Sequence, residues 1–172
     1  GTATDVIDYT LSNTTVVILK GATEGIVTLT AVPDTLNEIN ETVVVDIDTV
    51  TNVLESTQQT QTITITNNDL EPTLTLTTAT STINESAPGN STEMAVTLNT
   101  ASGRDVKVTL ARSGNAIEGT DYKLDKTEVT ILAGELTGAF LLTALDDPMD
   151  EVNEPAIIEI DTVENGLESG IQ

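Results

Sequence analysis

The sequence predicts an all-β chain, and three observations carry that expectation. Short runs such as QTITIT at 61–66 and TLTLT at 73–77 alternate small polar and aliphatic residues with the period of a pleated strand. Thr makes up roughly a fifth of the residues, and β-branched side chains favour the pleated surface. Clusters of Gly, Asn, Asp and Pro separate the runs, and no segment sustains a helical 3.6 period.

Taken in order, strands are expected at 15–19, 26–31, 42–48, 61–66, 73–79, 94–99, 105–111, 127–132, 138–145 and 155–162. The first of these rests on VVIL beginning at 16, and the second on IVTLTA before Pro33. Gly21, Gly25, Gly134 and Gly138 fall between or beside runs and are expected to mark turn or strand-edge positions. Turn-formers in NNDLEP at 67–72 end one alternating run just before the next begins, which sets a domain boundary there.

Shifting the chain by 113 residues lays Gly1–Gln59 on Gly114–Gln172 without a gap, with nearly half the positions identical. VVILKG at 16–21 falls on VTILAG at 129–134, and IDTVTNVLES at 47–56 on IDTVENGLES at 160–169. The repeat is out of phase with the chain ends. Residues 1–70 therefore read as a unit without its N-terminal strands, and 71–172 as a unit without its last strand. With about seven strands per hundred residues, each repeat is expected to be an Ig-like antiparallel β-sandwich, the two in tandem. The chain reads as a window on a longer tandem array. Completion of each unit by strands from neighbouring protomers of a filament is the alternative.

Composition narrows function. The chain has 28 acidic residues against 6 basic ones, a formal net charge of −22. That balance disfavours nucleic acid and anionic lipid and favours cations. It carries no His and no Cys, so the usual neutral-pH base, a reactive thiolate and zinc–thiolate sites are excluded. Two Tyr, one Phe and no Trp leave little for stacking on sugar, and the chain is read as a non-enzyme with no small-molecule substrate. No apolar run reaches the ~18 residues of a membrane-spanning helix. Tyr9 and Tyr122 are expected to fix sandwich corners rather than to bind at the surface. Asn13, Asn40, Asn84 and Asn90 open glycosylation sequons, as chance readily provides in a chain rich in Asn and Thr.

Acidic residues crowd two equivalent turns, PDTLNEINE at 33–41 and DDPMDEVNE at 146–154. Hard oxygen donors in such numbers suit Ca2+, which takes roughly six to eight of them. Acidic turns also keep sandwich ends soluble without any ion.

The order of motifs resembles one family. GTATDVIDYT at 1–10 looks like the GTA-x-x-G-x-DY signature of Calx-beta domains, the repeats of sodium/calcium exchangers, an integrin tail and many bacterial surface proteins. VVILKGATEGIVTLTAVPDTLNEINETVVVDI resembles the continuation, ITITNND at 63–69 the terminal motif, and INES at 83–86 the opening acidic motif. The resemblance implies a seven-stranded sandwich, in some members with Ca2+ bound at one end. In the second unit it implies Glu85, Asp121, Asp146, Asp147, Glu151 and Glu154 as ligands. In the first it implies Asp8, Asp34, Glu38, Glu41 and Asp69, with Pro33 standing where the second unit has Asp146. The second site is therefore expected to be the stronger. The function implied is a Ca2+-stiffened structural repeat in the stalk of a large extracellular adhesin or filament at a bacterial cell surface, partnered by neighbouring repeats. A regulatory Ca2+ sensor, as in the exchangers, is the alternative.

Overall fold

The computed structural model describes residues 1–150 and 152–170, and among these it is all-β and sandwich-like. The strands are β1 (Tyr9–Leu11), β2 (Leu29–Ala31), β3 (Glu41–Asp46), β4 (Thr60–Ile65), β5 (Thr73–Thr78) and β6 (Ser91–Leu98). They continue with β7 (Val106–Gly114), β8 (Tyr122–Leu124), β9 (Glu128–Ile131), β10 (Thr137–Ala144), β11 (Ala156–Glu164) and β12 (Leu167–Glu168). Two compact units result. Unit 1 comprises Gly1–Thr35 and Ile39–Asn68; unit 2 comprises Leu36–Glu38 and Asp69–Gln172.

Unit 2 has two sheets, ordered β12-β5-β6-β10-β8 and β11-β7-β9. Alternation decides what they bury. Every second residue of a strand points to one face, so Leu74, Val96, Leu98 and Phe140 from the larger sheet meet Val106, Val108, Leu110, Val129 and Ile131 from the smaller. Ile158, Ile160 and Val163 of β11 flank this core. Among the described residues, pairings between named strands of this unit are antiparallel except that of β12 with β5. In β11 the register against β7 shifts between Ile160 and Thr162, a bulge that leaves Asp161 without a partner across the ladder.

Unit 1 repeats several hydrogen-bonded features of the second half of unit 2. β1 pairs with β2 as Tyr9↔Ala31 and Leu11↔Leu29; β8 pairs with β10 as Tyr122↔Ala144 and Leu124↔Leu142. The amide of Ala22 reaches the carbonyl of Leu19 at 2.9 Å, and that of Glu135 reaches Leu132 at the same distance. Gly21 and Gly134 follow with φ of 89° and 84°, and Asn52 and Asn165 share 64° and 63°. Gly and Asn are the residues that reach this left-handed region readily, so these expected turns have a backbone reason.

The two units differ where non-local partners differ. No strand of unit 1 stands where β6 and β7 stand in unit 2. The expected strand at 15–19 consequently does not form, although its copy β9 does, and the strand expected at 26–31 is cut to β2. A strand without a neighbour has no one to take its amides and carbonyls, whatever its propensity. Exposure follows: Val16 and Ile18 are 46% and 56% accessible, whereas their copies Val129 and Ile131 are 2% and 1%. The short strands β1, β8 and β12 were not anticipated from the sequence.

Gly138 lies inside β10, not at its edge. A Cβ there would sit 2.5 Å from Val129 Cγ1 and 3.1 Å from Ile131 Cγ1, so glycine sets how closely the sheets approach. Gly138→Ala should destabilise the chain by about 1–3 kcal/mol, the usual cost of overpacking a fixed core, as read by urea denaturation. Gly25→Ala should cost less, because Val16, which its Cβ would meet, is half exposed and free to yield.

Candidate metal centre

The site is built on a turn that occurs twice. In unit 1 the amide of Asp8 bonds the carbonyl of Thr4 at 2.9 Å, and Val6 N–H donates to Tyr9 at 2.8 Å. In unit 2 Asp121 and Ile117 repeat the first bond at 2.9 Å, and Gly119 and Tyr122 the second at 2.7 Å. The aspartate side chain closes each turn: Asp8 Oδ2 accepts from Thr4 N–H at 2.5 Å, and Asp121 Oδ2 from Ile117 N–H at 2.6 Å. A charged acceptor makes a strong bond of this kind, and it fixes the carboxylate while occupying one of its two oxygens. Carbonyls of the same aspartates accept from Val32 and Leu145, both at 2.9 Å, which ties each turn to the strand entering the acidic loop.

Carboxylate oxygens of Asp8 and Glu41 lie within 4.8 Å of each other, and both residues are partly buried; Glu38, also partly buried, belongs to unit 2. Asp8 and Glu41 belong to unit 1, with Glu41 opening β3 opposite Ile65. Hard oxygen donors fit Ca2+ in type, and two carboxylates supply part of its shell. Asp34 stands exposed on the β2–β3 turn. Asp69 offers its carbonyl to Asn37 Nδ2 at 2.8 Å. Neither joins Asp8 and Glu41.

The residues expected in the second unit are not brought together among the described residues. Glu85 is exposed between β5 and β6, Asp121 is partly buried in its turn, and Asp146 and Glu154 are exposed between β10 and β11. Asp147 Oδ1 accepts from Met149 N–H at 2.7 Å, closing a local turn. Glu151 lies outside the described residues.

A polar node missed in the sequence reading adjoins Glu38 within unit 2. Asn37 is buried, and its carbonyl accepts from Gly103 N–H at 3.1 Å and Ser102 Oγ at 3.4 Å. Arg104 Nη2 donates to Asn37 Oδ1 and pairs with Glu71 at 3.3 Å. Nothing in the acidic-turn pattern marks Asn37, because its copy in the repeat is Asp150. Only the fold makes it a buried hub.

Tyr122 is buried, as a corner residue should be and a surface-binding aromatic should not. Burial raises its pKa above the ordinary 10.0, Glu118 adds to the rise, and Arg112 opposes it. Comparison of the chain with protein-family models and with curated proteins finds no match.

Two outcomes follow from these neighbourhoods. Asn37→Ala removes partners from Asp69 and Arg104 and should lower unfolding stability by about 1–3 kcal/mol in denaturant titrations. In a Tyr9→Phe chain, tyrosinate absorbance should report Tyr122 alone and rise with a midpoint above 10.0. Because the folded form holds that proton more tightly, the associated stability is complete below the unfolded value and is lost as pH climbs through the folded one. A midpoint at or below 10.0 contradicts the burial argument.

Proposed function

We propose that this chain is a structural, Ca2+-binding repeat from the stalk of a large extracellular adhesin or filament, built of Ig-like sandwiches of the Calx-beta type. The observation that carries the proposal is the convergence of Asp8 and Glu41 within unit 1, in a chain with a net charge of −22. Like charges held this close repel by ~1 kcal/mol per pair near 4 Å even at water's dielectric. A divalent cation turns that repulsion into attraction and couples binding to folding. The repeated sequence and the repeated turn support a modular role, since units copied in series convert chain length into reach. In this reading Asp8 is oriented by its turn, Glu41 by the first rung of β3, and the remaining oxygens come from carbonyls and water. The chain has no catalytic role.

Thermal unfolding tests the reading. Ca2+ at about a hundred times its dissociation constant should add about 2.7 kcal/mol of stability and raise the midpoint by several degrees. Glu41→Gln combined with Asp8→Asn should abolish that Ca2+-dependent rise. A midpoint that moves no more with CaCl2 than with NaCl at matched ionic strength overturns the proposal.

A further inference from the structure

DDPMD at 146–150, in the loop between β10 and β11, holds a bond that the metal reading does not use. Of the prolines in the chain, Pro148 is the one that follows an aspartate. In the copy of this loop the same bond joins Asp34 to Thr35. Proline nitrogen carries no N–H, takes part in no ladder and is a basic leaving group once its amide bond breaks.

The structure gives this bond a particular setting. Met149 N–H donates to Asp147 Oδ1 at 2.7 Å. That hydrogen bond folds the carboxylate back along the chain, and the Asp147–Pro148 C–N bond is itself a member of the ring it closes. Oδ1 is thereby committed, while Oδ2 has no partner among the described residues. Asp147 is partly buried, and Pro148 and Met149 are exposed, so water reaches the bond. Anchors stand on both sides. Leu145 N–H donates to the Asp121 carbonyl at 2.9 Å, and the Pro155 carbonyl accepts from Asn115 and Ala116 at 3.0 and 3.2 Å. They narrow the conformations open to Asp147, and holding a nucleophile beside its target is how an intramolecular reaction gains rate.

We infer that Asp147 cleaves its own backbone at the bond to Pro148. Oδ2 adds to the carbonyl carbon of Asp147, forming a C–O bond and closing a cyclic anhydride, as carboxylate nucleophiles do toward other acyl centres. The C–N bond breaks, its electron pair stays on the Pro148 nitrogen, and that nitrogen takes a proton from the acidic solvent. Water then opens the anhydride, restoring the Asp147 side chain and leaving a new C-terminal carboxylate. The net change is one water added across one peptide bond. The aspartate acts once, on its own chain, and is not turned over. The nick leaves unit 2 assembled, because residues 148–172 carry β11, paired with β7 from Ala156 to Glu164, and β12, paired with β5. Neither Asp8 nor Glu41 takes part, so the inference stands or falls apart from the Ca2+ reading.

The test incubates the full chain in warm, mildly acidic buffer with a chelator and follows it by mass spectrometry under denaturing conditions. A synthetic peptide ALDDPMD, residues 144–150 blocked at both ends, is the comparison in the same buffer. The folded chain should yield fragments 1–147 and 148–172 at about tenfold or more the peptide's rate. Asp147→Ala and Pro148→Ala should each stop that cleavage. The comparison with the peptide uses the unaltered protein, so misfolding of a variant cannot imitate the result. The inference is overturned if the chain stays intact, if the peptide is cut as fast as the folded chain, if the break falls after Asp146 instead, or if Asp147→Ala is still cut after position 147.

Discussion

The pairing of β7 with strands on both its sides is the interaction on which unit 2 depends. It brings Val106, Val108 and Leu110 into the core and supplies the ladder for β9 and β11 at once. At roughly 1.5–3 kcal/mol for each fully buried aliphatic side chain, this one strand anchors a large part of the hydrophobic driving force. Unit 1 shows the same sequence pattern without that neighbour. Its copy of β9 does not pair, and Val16 and Ile18 meet solvent instead of a facing sheet. Repeated sequence thus yields a repeated strand only where the long-range partner is repeated too, while the local turns repeat without it.

That contrast explains what could be read in advance. Alternation and β-branching are local, and they located β3 to β7 and β9 to β11 to within a few residues. They placed a strand at 15–19 on the same grounds, because VVIL carries no mark of whether a neighbour will lie beside it. The short strands β1, β8 and β12 escaped for the opposite reason: two or three residues are too few to show a period, and their pairing is imposed by turns. Those turns were partly legible. Gly21 and Gly134 announced turns, but Val6 occupies a left-handed conformation, φ 70°, where Gly119 stands in the other copy. A β-branched residue there gives no sequence signal and holds strain that glycine avoids.

The acidic residues were easy to find and hard to group. Sequence spacing shows that Asp34, Glu38 and Glu41 share a turn, yet within unit 1 it is Glu41 that meets Asp8, which comes from another turn altogether. The aspartates at 8 and 121 are set by backbone hydrogen bonds to residues four positions earlier, so their orientation is a local property that repeats faithfully. The acidic loops do not repeat so closely. Pro33, Leu36 and Asn37 stand where the second copy has Asp146, Met149 and Asp150, and Asn37 is recruited as a buried hub by Ser102 and Arg104. An amide can donate and accept in such a place; an aspartate could only accept while charged.

The parallel pairing of strands β12 and β5 has a mechanical meaning. The chain enters this pair at Thr73 and leaves it at Glu168, and the two strands run in the same direction. Tension applied at those two points pulls the strands past each other along their length. The bonds from Leu167 to Pro72 and from Ser169 to Leu74, each 2.9 Å, then share the load and must yield together. An antiparallel hairpin pulled from its open end gives way one rung at a time. The pair is short, but it is a clasp that tension between those two points would load in shear.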